Sequence, residues 1–422
     1  MGQADSITGM CVNCNIDAAD TGKGVSMKMY AEYDDCSIYC GDVISVLSQL
    51  PAGSVSMCVT SPPYYGLRDY GIPPTVWGGD PDCRHQWGEV VKPAANGLVN
   101  NSMQGESLSD NSATRSPTSS SICSICGAWL GTLGLEPTTE QFLQNMQAVF
   151  AAVWRVLRPD GTVWLNFGDS YAGSGKGPQG ESGSVGKSYW STDEAKPGAT
   201  ARDGWHNGWR NVDRRRWQSQ EKGMTRVGPV QGYKAKDLMM MPARLALALQ
   251  AAGWWVRSDI IWHKPNPMPE AVTDRPTTSH EHVFLLAKGE KYYYDADAIR
   301  ESAEYGRRSA FRGGGAYVEQ NAPSVTGSNP EAGRNKRSVW TVPTPSFPEA
   351  HFATFPEALV RPCILAGSPR DGLVLDPFGG AGTTALVARQ EGRHSILIEI
   401  KEDYCKIAKG RMEKQTPRMV GM

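Results

Sequence analysis

Residues 373–399 read Leu373-Val-Leu-Asp-Pro-Phe-Gly-Gly-Ala-Gly-Thr-Thr-Ala-Leu-Val-Ala-Arg-Gln-Glu-Gly-Arg-His-Ser-Ile-Leu-Ile-Glu399. An apolar run ends at Asp376, a glycine-rich turn follows, a helical pattern extends from Thr383 to Glu391, and a second apolar run ends at Glu399. Two strands joined by a helix form a βαβ unit, in which the strands lie parallel. The segment therefore predicts a parallel sheet with the glycine-rich turn at the carboxyl edge of its first strand.

The rest of the chain repeats this alternation of apolar runs and helical patterns. Several runs are continuous rather than alternating, which is typical of strands buried on both faces of a sheet. Further strands are predicted at Ser37–Cys40, Val55–Thr60, Thr162–Asn166, Val256–Trp262 and His282–Leu286, and further helices at Val43–Leu50, Thr139–Leu157, Pro242–Ala252, Pro356–Leu365 and Asp403–Glu413. This order predicts an α/β fold with a doubly wound sheet.

The bulk composition sets limits on the class of protein. The chain has 422 residues, a hydrophobic fraction of 40% and ten cysteines, too few for a dense disulfide framework at this length. No apolar run approaches the roughly 18 residues that a membrane-spanning helix needs, so we expect a cytoplasmic protein with no membrane contact. The net charge of −1 means that a nucleic acid must be bound by local basic patches.

The glycine-rich turn has the features of a nucleoside-cofactor site. Gly380 and Gly382 let the backbone turn sharply and approach a ligand, and the Thr383 hydroxyl at the helix start can donate a hydrogen bond. Glu399 ends the next strand, where a carboxylate can accept both ribose hydroxyls. The third glycine of a dinucleotide fingerprint is absent, and the alternative is an ordinary glycine-rich turn.

A second motif, Ser61-Pro-Pro-Tyr64, stands at the end of another predicted strand. The two prolines fix the backbone, so that the Pro62 carbonyl and the Ser61 hydroxyl can accept the two hydrogens of one amino group. The nitrogen lone pair then turns out of conjugation toward an electrophile. Pro63 holds the turn, and Tyr64 offers a face on which an extruded base can stack.

These motifs resemble those of the S-adenosylmethionine-dependent DNA amino-methyltransferases, in the β class, where Ser-Pro-Pro-Tyr precedes the glycine loop. The likeness extends over Ser37–Asp69, Glu136–Tyr171, Lys236–Asp295 and Thr354–Glu413, with phrases such as Ile261-Trp-His-Lys-Pro-Asn266 and Ser279-His-Glu281. It implies a seven-stranded, Rossmann-like methyltransferase sheet in the order 3-2-1-4-5-7-6. Strands 1 and 4 are then neighbours, and both loops open at one edge.

The resemblance also implies roles for individual residues. Asp376, Phe378, Gly380 and Gly382 would hold the methionine part of the cofactor, Glu399 the ribose and Asp42 the adenine amino group, while Thr354, Phe355 and Pro356 would pack beside it. Two alternatives stay open, since Asp42 could cap the helix that starts at Val43 and Phe355 could belong to the core.

The expected reaction is direct in-line methyl transfer to a flipped-out base, with no covalent intermediate and no catalytic metal. Ser61, rather than aspartate, at the first motif position resembles the cytosine N4 enzymes, and adenine N6 is the alternative. Ser61 is a poor base, so the final proton acceptor is unassigned. Two further classes of protein stay open: an RNA or protein methyltransferase, for which the motif order is unusual, and an inactive DNA-binding protein.

A basic, aromatic stretch is the predicted DNA contact. Ala201–Lys236 holds nine basic and three acidic residues with interleaved tryptophans, which suits a phosphate track with stacking platforms. Arg307–Arg337 is expected to contribute. The candidate DNA-binding residues are Arg210, Arg214, Arg215, Arg216 and Trp217. Double-stranded DNA is the expected partner, in a nucleoid-associated enzyme, and a homodimer and a restriction-enzyme partner stay open.

Two short pairs predict a structural zinc ion. Cys123-Ser-Ile-Cys126 lets two thiolates face one ion, and Cys83-Arg-His85 supplies a second pair across a serine-rich segment. Unrelated thiols in a loop are the alternative. Cys11 and Cys14 are a weaker zinc pair, because their candidate partners, Cys36 and Cys40, border a strand.

The chain is accordingly divided into seven parts. A catalytic domain is interrupted by a zinc-binding insertion, a basic target-recognition insertion and a loop-rich insertion. The seven parts are an extension at 1–34, a first catalytic part formed by 35–81 and 130–171, the zinc insertion at 82–129 between its two segments, the basic insertion at 172–236, a second catalytic part at 237–300, the loop-rich insertion at 301–345 and the cofactor-binding part at 346–422.

Overall fold

The protein is described from a computed structural model, which covers residues 28–66, 71–89, 121–173, 232–267, 269–270, 272–302, 333–344 and 356–415. Its strands are β1 Lys28–Tyr33, β2 Cys36–Cys40, β3 Val55–Thr60, β4 Thr75–Trp77, β5 Trp87–Glu89, β6 Ser121–Cys123, β7 Trp129–Gly131, β8 Leu157–Phe167, β9 Trp255–His263, β10 His280–Ala287, β11 Val339–Thr341, β12 Leu373–Asp376 and β13 His394–Glu399. The helices are α1 Val43–Gln49, α2 Thr139–Val156, α3 Met241–Ala251, α4 Glu357–Gly367, α5 Thr383–Gln390 and α6 Glu402–Lys414.

The main sheet has nine strands in the order β1-β2-β13-β12-β3-β8-β10-β9-β11. Its central seven strands follow the predicted order 3-2-1-4-5-7-6, so this prediction is confirmed. β10 is antiparallel to both of its neighbours, and the other central pairs are parallel. β1 and β11 extend the two edges and were not predicted.

Helices cover both faces of this sheet. α1, α2 and α3 pack against one face in a single apolar cluster, to which Phe142, Phe150 and Leu245 contribute. α4, α5 and α6 pack on the other face, with Ile364 and Val387 among their buried residues. Burial on both faces is why β3 is wholly buried and apolar at four of its six positions.

The two sequence motifs meet at the centre of the sheet. β12 and β3 are parallel neighbours, with Val374 opposite Met57 and Leu375 opposite Cys58. The glycine loop follows β12, and the Ser61 loop follows β3. Both loops therefore open at the same carboxyl edge, where the strand order reverses.

A second, antiparallel sheet of four short strands has the order β4-β7-β6-β5. It joins the main core through Trp77 and Trp129, which are buried, and the Trp77 indole donates to the Gly131 carbonyl at 3.2 Å. Among the helices of the described residues, none combines the length and apolar character that a bilayer crossing requires.

Several predicted features lie outside the described residues. They are Cys11, Cys14, Asp69, Thr354, Phe355 and the DNA-binding candidates Arg210, Arg214, Arg215, Arg216 and Trp217. Their roles, and the division into seven parts, stay predictions.

Candidate active site

A buried carboxylate joins the two loops. Asp376 ends β12 and is fully buried, and its two oxygens accept hydrogen bonds from the hydroxyls of Thr60 at 2.7 Å and Thr384 at 2.6 Å. Burial raises the pKa of Asp376 to about 6, although its hydrogen bonds oppose this shift. Because Thr60 immediately precedes Ser61, this contact fixes the Ser-Pro-Pro-Tyr loop against the glycine loop.

The glycine loop needs glycine for two physical reasons. Gly380 and Gly382 have φ values of +49° and +79°, in the left-handed region that disfavours side chains. A Cβ on Gly382 would lie 2.8 Å from the Cβ of Ala408, so α6 also requires glycine there. A Cβ on Gly380 would meet nothing closer than the Phe378 carbonyl, at 3.9 Å, which leaves space above the loop for a ligand.

Glu399 lies beside this loop at the end of β13. Its carboxylate accepts the backbone N–H of Gly380 at 2.9 Å and that of Lys401 at 2.8 Å. Burial raises the pKa of Glu399 to about 7. The acid predicted to hold a ribose thus also ties the glycine loop to the neighbouring strand.

Asp42 is close to Glu399, because the Gly41 N–H donates to the Glu399 carbonyl at 3.0 Å. Its Oδ1 accepts from the Ser45 N–H at 2.9 Å and the Ser45 hydroxyl at 3.0 Å, as the cap of α1. The capping alternative is therefore present in the structure, and the adenine contact stays a prediction. Pro356, also predicted near the cofactor, is buried immediately before α4.

The start of α5 is supported by an arginine that sequence reasoning missed. Arg411 of α6 donates to the Ala381 carbonyl at 2.8 Å and to the Thr383 hydroxyl at 3.0 Å. The Thr383 oxygen therefore accepts a hydrogen bond from this side. A helical position 28 residues further along the chain carries no local signal for such a contact.

These residues fit a nucleoside cofactor. The loop offers positive-φ backbone with open space at Gly380, the amino end of α5, and two carboxylates, Asp42 and Glu399, at adjacent strand ends. Hydroxyl and amino groups of a nucleoside are the donors that such carboxylates accept.

The Tyr64 ring is held in a narrow slot. Its centroid lies 4.8 Å from that of Phe167, and a Cβ on Gly168 would lie only 2.6 Å from its Cε2 atom. Tyr64 is half-buried, as are Ser61 and Pro63, while Pro62 is buried. The ring therefore has a fixed position beside the loop.

A polar network that the sequence did not reveal surrounds the Tyr64 hydroxyl. This oxygen lies 2.7 Å from Glu281 Oε2, 3.1 Å from Asn166 Oδ1 and 3.3 Å from Ser61 Oγ. The Asn166 amide donates to the same Glu281 oxygen at 3.0 Å, and Lys264 forms an ion pair with the other. The phrases around Lys264 and Glu281 carry the family likeness, but nothing local in them indicates that these side chains meet.

The chain beyond Tyr64 is anchored in the core. The Gly66 N–H donates to the Gly134 carbonyl at 2.7 Å, and the Gly134 N–H donates to the Glu136 carboxylate at 2.8 Å. Asn145 of α2 donates to the second Glu136 oxygen at 2.9 Å, and burial raises the pKa of Glu136 to about 7. The small sheet is thereby linked to the Ser61 loop, since Gly134 lies shortly after β7.

The predicted zinc ligands come together in the small sheet. One ligand atom from each of Cys83, His85, Cys123 and Cys126 lies within 4.8 Å of the others. The Cys83 and Cys123 sulfurs are 3.9 Å apart, and the Cys126 sulfur is 3.3 Å from His85 Nδ1. A Cβ on Gly79 would lie 2.8 Å from the Cys126 sulfur, so glycine is needed against this cluster.

The cysteine three residues before Ser61 is unsuited to nucleophilic attack. Cys58 lies in β3, is fully buried, and burial raises the pKa of its thiol well above the usual range.

Comparison with known proteins reveals extended similarity. Residues 55–410 match the family described as DNA methylase. The chain is 34% identical over 389 residues to the Type II methyltransferase M.Cfr9I of Citrobacter freundii, with 92% of this chain and 91% of that protein covered. It is 36% identical over 384 residues to the Type II methyltransferase M.XycI of Xanthomonas campestris pv. cyanopsidis, with 91% and 90% covered.

Among solved structures, the fold is similar to that of the PvuII DNA methyltransferase (cytosine-N4-specific). The TM-score is 0.50 at 16% sequence identity, with 94% of this chain and 91% of that chain covered.

Proposed function

The chain belongs to the DNA methylase family, and from this membership we propose that it transfers a methyl group from S-adenosylmethionine to cytosine N4 in double-stranded DNA. The observation that carries the proposal is the Thr60–Asp376 hydrogen bond of 2.7 Å. It fastens the loop suited to an amino group directly against the loop suited to a nucleoside cofactor.

The cofactor side of the site is assigned to the edge formed by β2, β12 and β13. S-adenosylmethionine supplies an electrophilic methyl group on a sulfonium centre. Glu399 would accept the ribose hydroxyls, Asp42 the adenine amino group, and the backbone at Gly380 and Gly382 would lie against the methionine part. Asp376 and Phe378 are also assigned to the methionine part, and since both Asp376 oxygens accept from protein donors, Asp376 holds the loop in shape as well.

The base side is assigned to the Ser61 loop. A base rotated out of the duplex would stack on Tyr64, and its amino group would donate to the Ser61 hydroxyl and the Pro62 carbonyl. Positioning of the nitrogen lone pair toward the methyl group is then the main catalytic effect. The slot formed by Phe167 and Gly168 restricts the Tyr64 ring before the base binds, which lowers the entropic cost of ordering the ring when the base stacks on it.

Cytosine is preferred over adenine because of Ser61. A neutral hydroxyl in place of a carboxylate suits an amino group that needs less activation, as in the cytosine N4 enzymes that the motif resembles. Adenine N6 is the competing candidate. Sequencing genomic DNA from expressing cells with modification-sensitive detection would identify both base and target site, and modified adenines without modified cytosines would contradict the proposal.

DNA contact is assigned to the basic segment Ala201–Lys236. Replacing Arg214, Arg215 and Arg216 together with glutamine should weaken DNA binding and flatten its dependence on salt, because fewer counterions are then released. An unchanged slope of log Kd against log salt would contradict this assignment. Lys406, in an exposed helical ion pair with Asp403, offers a single-charge control, Lys406→Gln.

The four-residue cluster in the small sheet is proposed to hold a structural zinc ion. Tetrahedral zinc places thiolate and imidazole ligand atoms about 3.3 to 3.8 Å apart. The Cys126–His85 and Cys83–Cys123 contacts, at 3.3 Å and 3.9 Å, are close to this, and all four ligand atoms lie within 4.8 Å of one another. Four protein ligands leave no open position for a substrate. The ion would clamp the base of the serine-rich segment between the two ligand pairs, which has little apolar material of its own.

Metal analysis tests the zinc proposal. The purified protein should contain about one zinc per chain, and Cys123→Ser should lower this content. Cys363→Ser is the matched control, because Cys363 is also buried but lies on α4, where its thiol contacts the Leu359 carbonyl. A fully folded protein without metal would contradict the proposal.

A further inference from the structure

The fate of the amino proton is the step that the two loops leave open. A methylated amino nitrogen must lose one proton, and the Ser61 hydroxyl cannot keep it, because an alcohol is a very weak base. A carboxylate connected to Ser61 through hydrogen bonds is the type of group that can. Among the described residues around Tyr64, Glu281 is the carboxylate in contact with its hydroxyl.

We propose that Glu281 is the final proton acceptor, reached through the hydroxyls of Ser61 and Tyr64. Three oxygens form a continuous series: Ser61 Oγ lies 3.3 Å from the Tyr64 hydroxyl, which lies 2.7 Å from Glu281 Oε2. The phenol proton is directed to the carboxylate, because this is the shortest contact and the acceptor is charged. The Tyr64 oxygen is then able to accept from Ser61.

The transfer balances without another reactant. As the nitrogen–carbon bond forms and the sulfur–carbon bond breaks, the amino nitrogen gives one proton to Ser61 Oγ. Ser61 gives its own hydroxyl proton to Tyr64, and Tyr64 gives its phenol proton to Glu281. Serine and tyrosine end unchanged, and the glutamic acid later returns the proton to water.

The surroundings of Glu281 suit this role. Its side chain is 17% exposed, so the proton can leave to solvent afterwards. Lys264, placed over the Trp262 ring, pairs with Oε1, and Asn166 donates to Oε2, which leaves the carboxylate oriented toward Tyr64.

The other titratable groups nearby are turned elsewhere. His280 and His282 flank Glu281 on β10 and therefore point to the opposite face of the strand, where His282 pairs with Asp259. Asp169, after β8, accepts the N–H groups of Ser170 and Met241.

The inference rests on the proposed methyl transfer but not on which base is methylated. The test is the pH dependence of single-turnover methyl transfer to unmodified genomic DNA with tritium-labelled S-adenosylmethionine. Transfer by the wild-type protein reports the proposed function, and the variants report the relay. Calorimetric binding of S-adenosylmethionine and thermal unfolding verify that each variant is intact.

Glu281→Gln and Tyr64→Phe should each slow transfer by about a hundredfold, and the double variant should be no slower than either, because both interrupt one series. Asp160→Asn, in the exposed ion pair with Arg158, is the control and should match the wild type. Additive losses would overturn the relay.

The pH profile gives a result that a purely structural role would not. In Glu281→Gln the acid limb of the rate profile should disappear, because the accepting carboxylate is gone. In Lys264→Met the Glu281 Oε1 atom loses its ion-pair partner, so transfer should slow, and Lys264→Arg, which keeps the cation, should recover most of the rate. A wild-type acid limb in Glu281→Gln, or a wild-type rate in Lys264→Met, would overturn the proposal.

Discussion

Gly168→Ala should damage catalysis without removing any chemical group. The added Cβ would lie 2.6 Å from Tyr64 Cε2 and 3.2 Å from Cδ2, whereas carbon atoms in contact are normally about 3.6 Å apart. The ring must therefore move by about 1 Å. Phe167 packs against it and Glu281 binds its hydroxyl, so the movement displaces the surface on which the base stacks.

A misplacement of about 1 Å in a positioned site can cost about a hundredfold in rate, or about 2.7 kcal/mol of activation free energy. Single-turnover transfer at saturating cofactor and DNA should fall by that factor in Gly168→Ala, while the Kd for S-adenosylmethionine stays unchanged. Gly289→Ala is the matched control, because nothing lies within 4 Å of a Cβ there. Transfer by Gly168→Ala within twofold of the wild-type rate would refute the reasoning.

Three further predictions address other parts of the site. Ser61→Ala and Tyr64→Ala should bind S-adenosylmethionine normally but lose most methyl transfer to DNA, because both residues contact the base. Loss of cofactor binding in calorimetry with retained methyl transfer would contradict the assignment of this loop to the base. Gly380→Val should abolish cofactor binding, because the φ of +49° at Gly380 disfavours a branched side chain and the valine would fill the ligand space. Glu399→Ala should weaken binding more mildly. Undiminished binding of S-adenosylmethionine to Gly380→Val, measured by calorimetry, would contradict the proposed location of the cofactor. The folded-state pKa of Glu136, about 7, lies above its ordinary value of 4.5. At low pH the Glu136 carboxyl is neutral in both the folded and the unfolded protein. As pH rises past the ordinary value, the carboxyl ionises readily in the unfolded protein but not in the folded protein. Its contribution to the free energy of unfolding should thus fall by about 3 kcal/mol as pH rises from about 4 to about 8; urea unfolding of Glu136→Gln should lack this decline, and a difference from wild type that is constant with pH would contradict it.

The central sheet could be predicted from the sequence because its strands are continuous apolar runs. β3 is buried at all six positions, four of which are apolar, and it contains no charged residue, so its sequence lacks the charged face of an amphipathic surface helix. β1 and β11 were missed for the opposite reason. β1 lies at an edge with a mixed, partly exposed pattern, and β11 has only three residues, which is too short for periodicity to register.

The two loops of the site could be predicted because each motif is contiguous. Ser61 and Gly380 are recognised from their immediate neighbours, and strand order brings their loops together. Asn166 precedes Glu281 by 115 residues and Lys264 precedes it by 17, so neither contact is local in sequence. Their meeting depends on the antiparallel pairing of β10 with β8 and β9, which local patterns do not specify.

The zinc ligands stand between these two cases. The Cys123–Cys126 spacing is a local signal, and the structure brings Cys83 and His85 to it across a long insertion. At Asp42 the sequence does not distinguish a helix cap from a cofactor ligand, because one carboxylate can serve in either role. The hydrogen bonds that its Oδ1 accepts from Ser45 agree with the helix cap.

Nucleoside analysis of methylated DNA tests the central claim most directly. Purified protein, unmodified DNA and S-adenosylmethionine with a deuterated methyl group are incubated, and the DNA is digested to nucleosides for mass spectrometry. The label should appear in N4-methyldeoxycytidine, should be greatly reduced in the Ser61→Ala reaction, and should require no added metal. Label in N6-methyldeoxyadenosine or in 5-methyldeoxycytidine, or no label in DNA at all, would contradict the account.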